Sequence, residues 1–239
     1  MASRSLNPRT PQRVYWPLDR GQDSIRLVQI SRPDPQLGDP SADTLVCRLV
    51  HVTFGQRPRY YALSYMWGSD ALPKKTIILE GIPFTVGQNL FDALQFLRNH
   101  DCSSESSAYY WIDAICINQH DIAERNLQLQ LMPHIYRRAT TVLIWLGHPR
   151  PREFPQDLIE NSYWERLWIV QEVTLASRLV VCYGSTAVDW QSFIDWVTSF
   201  RPPRISTDFS TPGPLNLDEQ RRDMHRLTLE DLLWKHRHA

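Results

Sequence analysis

The sequence predicts an α/β fold, a doubly wound core in which a parallel sheet is flanked by helices. Three observations carry that expectation. From residue 60 to residue 200, apolar strand-like runs alternate with helix-like ones, the pattern of βαβ units. Residues 141–146, Thr-Val-Leu-Ile-Trp-Leu, are apolar on both faces, as a central parallel strand covered by helices must be. Finally, Asp113, Asn118, Gln119 and Asp121 gather where an apolar strand gives out. In parallel sheets ligands sit outside the carboxyl ends of the strands.

The elements follow in order. Residues 1–24 are polar and Pro-rich, an irregular lead-in. Residues 25–30 alternate like a half-buried strand, and Pro33, Pro35 and Pro40 then break the chain. Strands are expected over 44–50 and 60–67, the latter closed by Gly68. Residues 76–79 and 82–86 flank Glu80 and Gly81 as a hairpin. Asn89 caps a helix whose Leu90, Ala93, Leu94 and Leu97 share a face, ending in the Ser-rich stretch 103–107. Residues 109–117 read as a near-continuous apolar strand carrying one acid, Asp113. A helix over 121–139 places Leu127, Leu131, Ile135 and Ala139 in register, with Pro133 expected to kink or restart it. Beyond Pro149, Pro151 and Pro155 come a helix over 162–176, a strand over 179–183 ending at Gly184, and a helix over 190–200. Pro202, Pro203, Pro212 and Pro214 mark a linker over 201–217, before a charged helical tail over 218–239.

Composition narrows the function classes. In 239 residues, 42% are hydrophobic and 22% charged, the balance of a soluble globular protein. Lys plus Arg equals Asp plus Glu at 26 each, so no net field draws the chain to nucleic acid or to an anionic membrane. No run approaches membrane-spanning length, and the N-terminus has no apolar signal region. Cys47, Cys102, Cys116 and Cys182 are scattered, which supports neither a zinc site nor a disulfide framework. A reduced, cytoplasmic protein without a bound metal is expected. No Walker, GxGxxG or nucleophile-elbow pattern is present, so the familiar hydride-transfer and nucleotide-hydrolysis chemistries lack support.

The sharpest constellation lies in 164–175. On one helix, Trp164, Leu167, Trp168, Gln171, Glu172 and Leu175 would share a face while Ile169, Val170 and Val173 cover another. Glu172 then sits within an apolar face, and burying a carboxylate is costly unless it is paired or lines a cleft. It is therefore the catalytic candidate, set against a purely structural ion pair with Arg166, Arg178 or another base. At the end of the 60–67 strand, Ser64 could bond a sugar or phosphate and Trp67 stack on a flat base, with Tyr65 between them. The plainer reading is a core strand entering a tight Gly turn. Asp113, Asn118 and Gln119 could hold ribose hydroxyls, or else form an Asx-type turn in which Asp121 and Glu124 make a capping box.

These segments resemble the fungal heterokaryon-incompatibility (HET) domain. The resemblance rests on residues 62–68 (Ala-Leu-Ser-Tyr-Met-Trp-Gly) and 111–119 (Trp-Ile-Asp-Ala-Ile-Cys-Ile-Asn-Gln). It continues through Glu124, Arg125, Gln128, Met132, Ile135, Tyr136 and Ala139 to Trp145–Gly147, and then Arg166 to Glu172. It implies a HET domain over 25–200 and a role in fungal non-self recognition and regulated cell death. HET domains in turn resemble TIR domains, flavodoxin-like α/β modules of which some cleave NAD with a helical glutamate in a Trp-x-x-x-Glu arrangement; Trp168 and Glu172 stand at that spacing. What the resemblance implies is thus a flavodoxin/TIR-like sheet with an N-terminal β extension, and NAD as substrate and not cofactor. Glu172 would be catalytic, with Ser64, Tyr65, Trp67, Asp113, Asn118, Gln119 and Trp168 around the substrate. Partners would be further copies of the chain or an incompatibility partner protein. The sequence departs from the family in a short 148–163 interval, in Pro133, and in ending before the family's usual downstream segment. The alternative is therefore a non-enzymatic, or truncated and inactive, interaction module that signals by self-association.

Overall fold

A computed structural model describes residues 14–19, 23–31, 44–68, 73–100, 108–150, 156–166, 168–200 and 213–226. Nine strands run β1 Ser24–Ile30, β2 Val46–Thr53, β3 Tyr61–Tyr65, β4 Lys74–Leu79, β5 Ile82–Gly87, β6 Tyr109–Trp111, β7 Thr141–Trp145, β8 Leu179–Tyr183 and β9 Thr186–Asp189. The helices are α1 Gln88–Asn99, α2 Asp113–Cys116, α3 Ile122–Arg138, α4 Gln156–Ile159, α5 Ile169–Thr174, α6 Trp190–Ser199 and α7 Pro214–Arg226.

All nine strands form one sheet in the order β5-β4-β2-β1-β6-β3-β7-β8-β9. The parallel pairing expected from sequence is concentrated in its middle, with one further short parallel pair, β2 with β4, on the flank. In the middle, β3 pairs in parallel with β6 and β7, and β7 with β8. β1 joins β6 antiparallel and β2 joins β1 antiparallel, so the N-terminal strands extend the sheet instead of standing apart. The β4–β5 hairpin and β9 complete the two flanks. The sheet is mixed because β1–β2, β4–β5 and β8–β9 are antiparallel returns, whereas the middle strands are joined by helical crossovers and run parallel. Within the middle, chain order reverses direction at β3, whose neighbours are the next parallel strand on one side and the one after it on the other. Such a reversal opens a crevice at the carboxyl ends of the strands.

β7 is buried at every position, as its two-faced apolar run requires. β1 departs from the half-buried pattern, since Ser24 to Val28 are all buried. The reason is Arg26, which is wholly excluded from solvent and forms a two-pronged ion pair with Glu124 of α3 at 2.6 and 2.8 Å. Arg26 also donates to the carbonyls of Cys116 and Trp16 and to His51 Nε2. The buried stripe of α3 is accordingly Glu124, Gln128, Met132, Ile135 and Tyr136, one position off the Leu127/Leu131 register that hydrophobicity alone suggests. Two of its members carry polar groups inside: Glu124 pairs with Arg26, and the Gln128 amide donates to Ser24 O at 3.0 Å while its Oε1 has no hydrogen-bond partner among the described residues. α3 runs through Pro133 without a break, at the cost of the N–H that would have bonded the Leu129 carbonyl.

Four other expectations are corrected. The 109–117 strand ends at Trp111, because Asp113 accepts the Ala114 N–H and opens a helical turn. Asn89 does not cap α1, whose N-cap is Gly87. It donates instead to Met66 O at 2.7 Å and accepts from Trp145 Nε1 at 3.0 Å, tying the ends of β3 and β7 together. The 162–176 helix is broken into a 3-10 turn, Ser162–Glu165, and the six-residue α5. Trp164 is thereby separated from Trp168 and buried against Trp190 and Phe193. α7 begins at Pro214, inside the expected linker, while the rest of that linker, 201–212, and the segment after Arg226 lie outside the described residues.

Removing one member of a buried, hydrogen-bonded charge pair leaves the other uncompensated, at a cost of about 3–5 kcal/mol. Arg26→Ala is expected to lower the unfolding free energy by about that amount in urea titration. A loss below about 1 kcal/mol would show that the pair is not holding β1 to α3.

Candidate functional site

A cleft of about 670 Å3 opens at the carboxyl ends of β3, β6 and β7. Each of these strands contributes through the segment that follows it. After β3 the chain supplies Met66, Trp67 and Gly68, the glycine taking a φ of 79° that side chains resist. After β6 it supplies Asp113, Ile117 and Gln119, then Arg125, Leu129 and Met132 along α3. After β7 it supplies Arg166, Trp168 and Glu172.

Glu172 is 1% exposed on the short α5. Its carboxyl accepts from the Ser64 hydroxyl, which is itself 2.5 Å from the Tyr163 hydroxyl. Tyr136 also reaches this carboxyl; the other neighbour of its hydroxyl, Leu63 O, is at 3.4 Å. Arg166 Nη1 stands 3.6 Å from Glu172 Oε2, an ion pair with no hydrogen bond. Burial pushes the Glu172 carboxyl up to about 7, against the pull of Arg166 and the Ser64 and Tyr136 bonds, with the Asp113 charge adding to the rise. The Tyr136 and Tyr163 phenols are raised by burial and remain protonated donors.

Asp113 is half-buried beside Trp67, whose indole N–H donates to its carboxylate at 2.8 Å. The Ala114 N–H and the Tyr65 hydroxyl bond the same carboxyl. Burial raises its pKa, and those three bonds and Arg166 oppose the rise. Gln119 donates to the Asp113 carbonyl at 3.0 Å, closing the loop that both residues share. Trp67 and Trp168 stand at the rim, each about half exposed.

Of the residues singled out from sequence, Trp67, Asp113, Gln119, Trp168 and Glu172 line the cleft. Ser64 and Tyr65 lie beneath it, buried and spent on Glu172 and Asp113 respectively. Asn118 does not join them. Its N–H donates to Glu124 and its side chain accepts from the His120 N–H, so it belongs to the turn before α3. In that turn Asp121 caps α3 by accepting from Glu124 N at 3.0 Å, but the Glu124 side chain goes to Arg26 and not back to Asp121, leaving half a capping box. Arg166 is the base named in the ion-pair alternative. Tyr136, Tyr163 and Arg125 were not separated from their surroundings by any spacing. Among the described residues, no three His, Cys, Asp or Glu side chains converge as a metal site. Nor is any helix long and apolar enough to cross a membrane.

α5 is too short to be rigid by itself and is held from the C-terminal side. Arg221 of α7 donates to the carbonyls of Val173 at 2.9 Å, of Ala176, and of Ser177 at 3.2 Å. Val173 is among the acceptors that the end of α5 leaves open, and Ala176 and Ser177 belong to the turn just after it. α7 is seated by buried Leu217 and by Asp218, which accepts from Trp190 Nε1 at 2.7 Å.

The arrangement defines a class: an α/β domain with a ligand-sized cleft at its strand reversal and one buried, near-neutral carboxyl at the floor. Residues 60–156 match the family described as "Heterokaryon incompatibility protein (HET)", so this segment is a HET domain. The match is narrower than the 25–200 expected and stops before Arg166 and Glu172. Over 113 residues the chain is 34% identical to heterokaryon incompatibility protein 6, OR allele, of Neurospora crassa. That alignment covers 44% of this chain and 17% of the relative, so the chain spans only a small part of that protein's length. No solved structure matches the chain.

Two outcomes are expected. The folded state holds the Glu172 proton more tightly than an unfolded chain, so ionisation costs stability as pH climbs from about 4.5 through about 7. Glu172→Gln should therefore be more stable than wild type at pH 8, by on the order of 2 kcal/mol, with the gap closing towards pH 4. A pH-independent difference in melting temperature would contradict the raised carboxyl. Arg221→Ala should speed amide hydrogen exchange in α5 by about 10-fold or more while leaving α1 unchanged. Equal exchange in both would mean that α7 does not brace α5.

Proposed function

We propose that the domain acts in heterokaryon incompatibility as a TIR-like NAD glycohydrolase, with Glu172 as its catalytic carboxyl. The observation that carries this reading is a carboxyl 1% exposed, poised near 7, at the floor of a cleft between two rim tryptophans. The parallel strands support the kinship. Numbered by their own succession, β3, β6, β7 and β8 stand in the order 2-1-3-4, the beginning of the flavodoxin-like order. The cleft volume lies within the range of ligand sites, roughly 300–1,000 Å3.

In this mechanism the ionised Glu172 accepts hydrogen bonds from the nicotinamide-ribose hydroxyls. The bond from C1′ to the pyridinium nitrogen breaks, and both electrons leave with neutral nicotinamide. The carboxylate stabilises the oxocarbenium-like C1′, as carboxylates do in glycoside hydrolysis. Water then adds at C1′ and releases a proton, giving ADP-ribose. Ser64, Tyr136 and Tyr163 orient the carboxyl, and Trp67 and Trp168 offer stacking faces. The protein would work in the cytoplasm, assembled with further copies or with an incompatibility partner.

One observation favours a second reading. Ser64, Tyr136 and Arg166 already occupy Glu172, as they would in a structural pair within a non-enzymatic module that signals by self-association. Nicotinamide release from NAD by concentrated protein separates the two. The glycohydrolase should lose at least 100-fold in rate in folded Glu172→Ala, and its kcat/KM should rise with pH through about 7 as the carboxyl ionises. Folded, self-associated wild type that releases no nicotinamide would remove the enzyme and leave the module.

A further inference from the structure

We propose that Arg166, with Arg125 on the α3 wall, forms an anion subsite that receives the phosphate of a phosphate-bearing ligand in this cleft. The subsite shares the cleft of the glycohydrolase reading and rests on it only for the natural ligand's identity.

The first ground is an unmet hydrogen-bonding demand. Arg166 Nη1 is shut off from solvent and has no hydrogen-bond acceptor among the described residues. Its nearest charge, Glu172 Oε2, is at 3.6 Å and already takes the Ser64 hydroxyl. A buried donor left without an acceptor is costly, and the planar guanidinium fork matches two phosphate oxygens. The second ground is how the acids are disposed. Asp113 is occupied by Trp67, Ala114 and Tyr65, and Glu172 by Ser64 and Tyr136. Burial raises the Glu172 carboxyl to about 7, which lowers the negative charge an incoming anion meets near neutral pH. The third is the company of the two cations. Leu129 and Met132 and the indoles Trp67 and Trp168 line the remaining wall, so the cleft suits a ligand with a phosphate at one end and a flat ring at the other.

This geometry couples binding to a proton. The groups facing Glu172 are Arg166, Ser64, Tyr136, Tyr163 and Asp113, and Arg166 is the cation among them. An anion that draws the guanidinium away removes the attraction favouring ionised Glu172 and adds a like charge. Glu172 then takes up a proton near pH 7.

The probe is inorganic pyrophosphate, titrated calorimetrically into the full chain at pH 7 in two buffers of different ionisation enthalpy. Wild type should bind with net proton uptake. Arg166→Gln should weaken binding at least 10-fold, Arg166→Lys should recover part of it, and Glu172→Gln should bind without proton uptake. Unchanged affinity in folded Arg166→Gln, or no binding to folded wild type, would overturn the subsite. Should Arg166→Gln not fold, proton uptake by wild type and its loss in Glu172→Gln decide the matter, and uptake that persists in Glu172→Gln overturns it. Pyrophosphate binding without NAD turnover keeps the subsite and removes the glycohydrolase. NAD turnover undiminished by pyrophosphate and by Arg166→Gln does the reverse.

Discussion

The ion pair between Arg26 and Glu124 is the interaction on which the rest of the structure hangs. Burying two charges is unfavourable unless each remaining lone pair and proton finds a partner. Here that requirement gathers five pieces of chain around one guanidinium, β2 among them through His51. β1 carries it, α3 supplies the carboxylate, the Trp16 carbonyl brings in the lead-in segment, and the Cys116 carbonyl brings in the turn after β6. Glu124 in turn accepts from the N–H of Asn118. The loop between β6 and α3 is thus fixed from behind by charge, which frees its other side to present Asp113 and Gln119 to the cleft. A loop so anchored can carry polar groups without being mobile.

The cleft itself follows from connectivity. Once β6 and β7 flank β3, the segments leaving the carboxyl ends of these strands diverge, and the space between them must be lined by whatever follows each strand. Asn89 limits that divergence by bonding the end of β3 and the indole of Trp145 at once. Glu172 is then lowered into the floor on a helix of six residues, among hydroxyls that can follow its charge state. The result is a carboxyl whose protonation is decided by burial, opposed first by Arg166 and then by the bonds from Ser64 and Tyr136.

Much of this was legible in the sequence where one interaction dominated locally. β7 and the β4–β5 hairpin follow from apolar runs and from Glu80-Gly81, both of which adopt positive φ. Of the cleft-lining residues, Trp67, Asp113 and Gln119 were marked by strand-end position and Glu172 as an acid among apolar neighbours, while Trp168 came with the family resemblance. What could not be read was decided at long range. Asn89 looks like a cap because Asn often is one, and only Met66 and Trp145 give it other work. The α3 stripe slips by one position because Glu124 and Gln128 find partners on β1 or at its start. The 162–176 segment has no Gly or Pro to announce its break; packing of Trp164 against Trp190 and Phe193 separates it from Trp168. Arg166 was visible as a neighbour in sequence, but its unmet donor is a property of the folded floor.

The hold of Arg221 on the end of α5 separates two boundaries that are easily confused. The segment recognisable as HET ends at residue 156, yet the helix bearing Glu172 lies beyond it and is finished off by carbonyl bonds from residue 221. At the other end Tyr15, far before residue 60, donates its hydroxyl to Ile115 O beneath the loop of Asp113. The unit that inheritance makes recognisable is therefore shorter than the unit that cooperates physically. A fragment cut to the recognisable segment would retain β3, β6 and β7 while losing the carboxyl at the floor and supports at both ends of the chain.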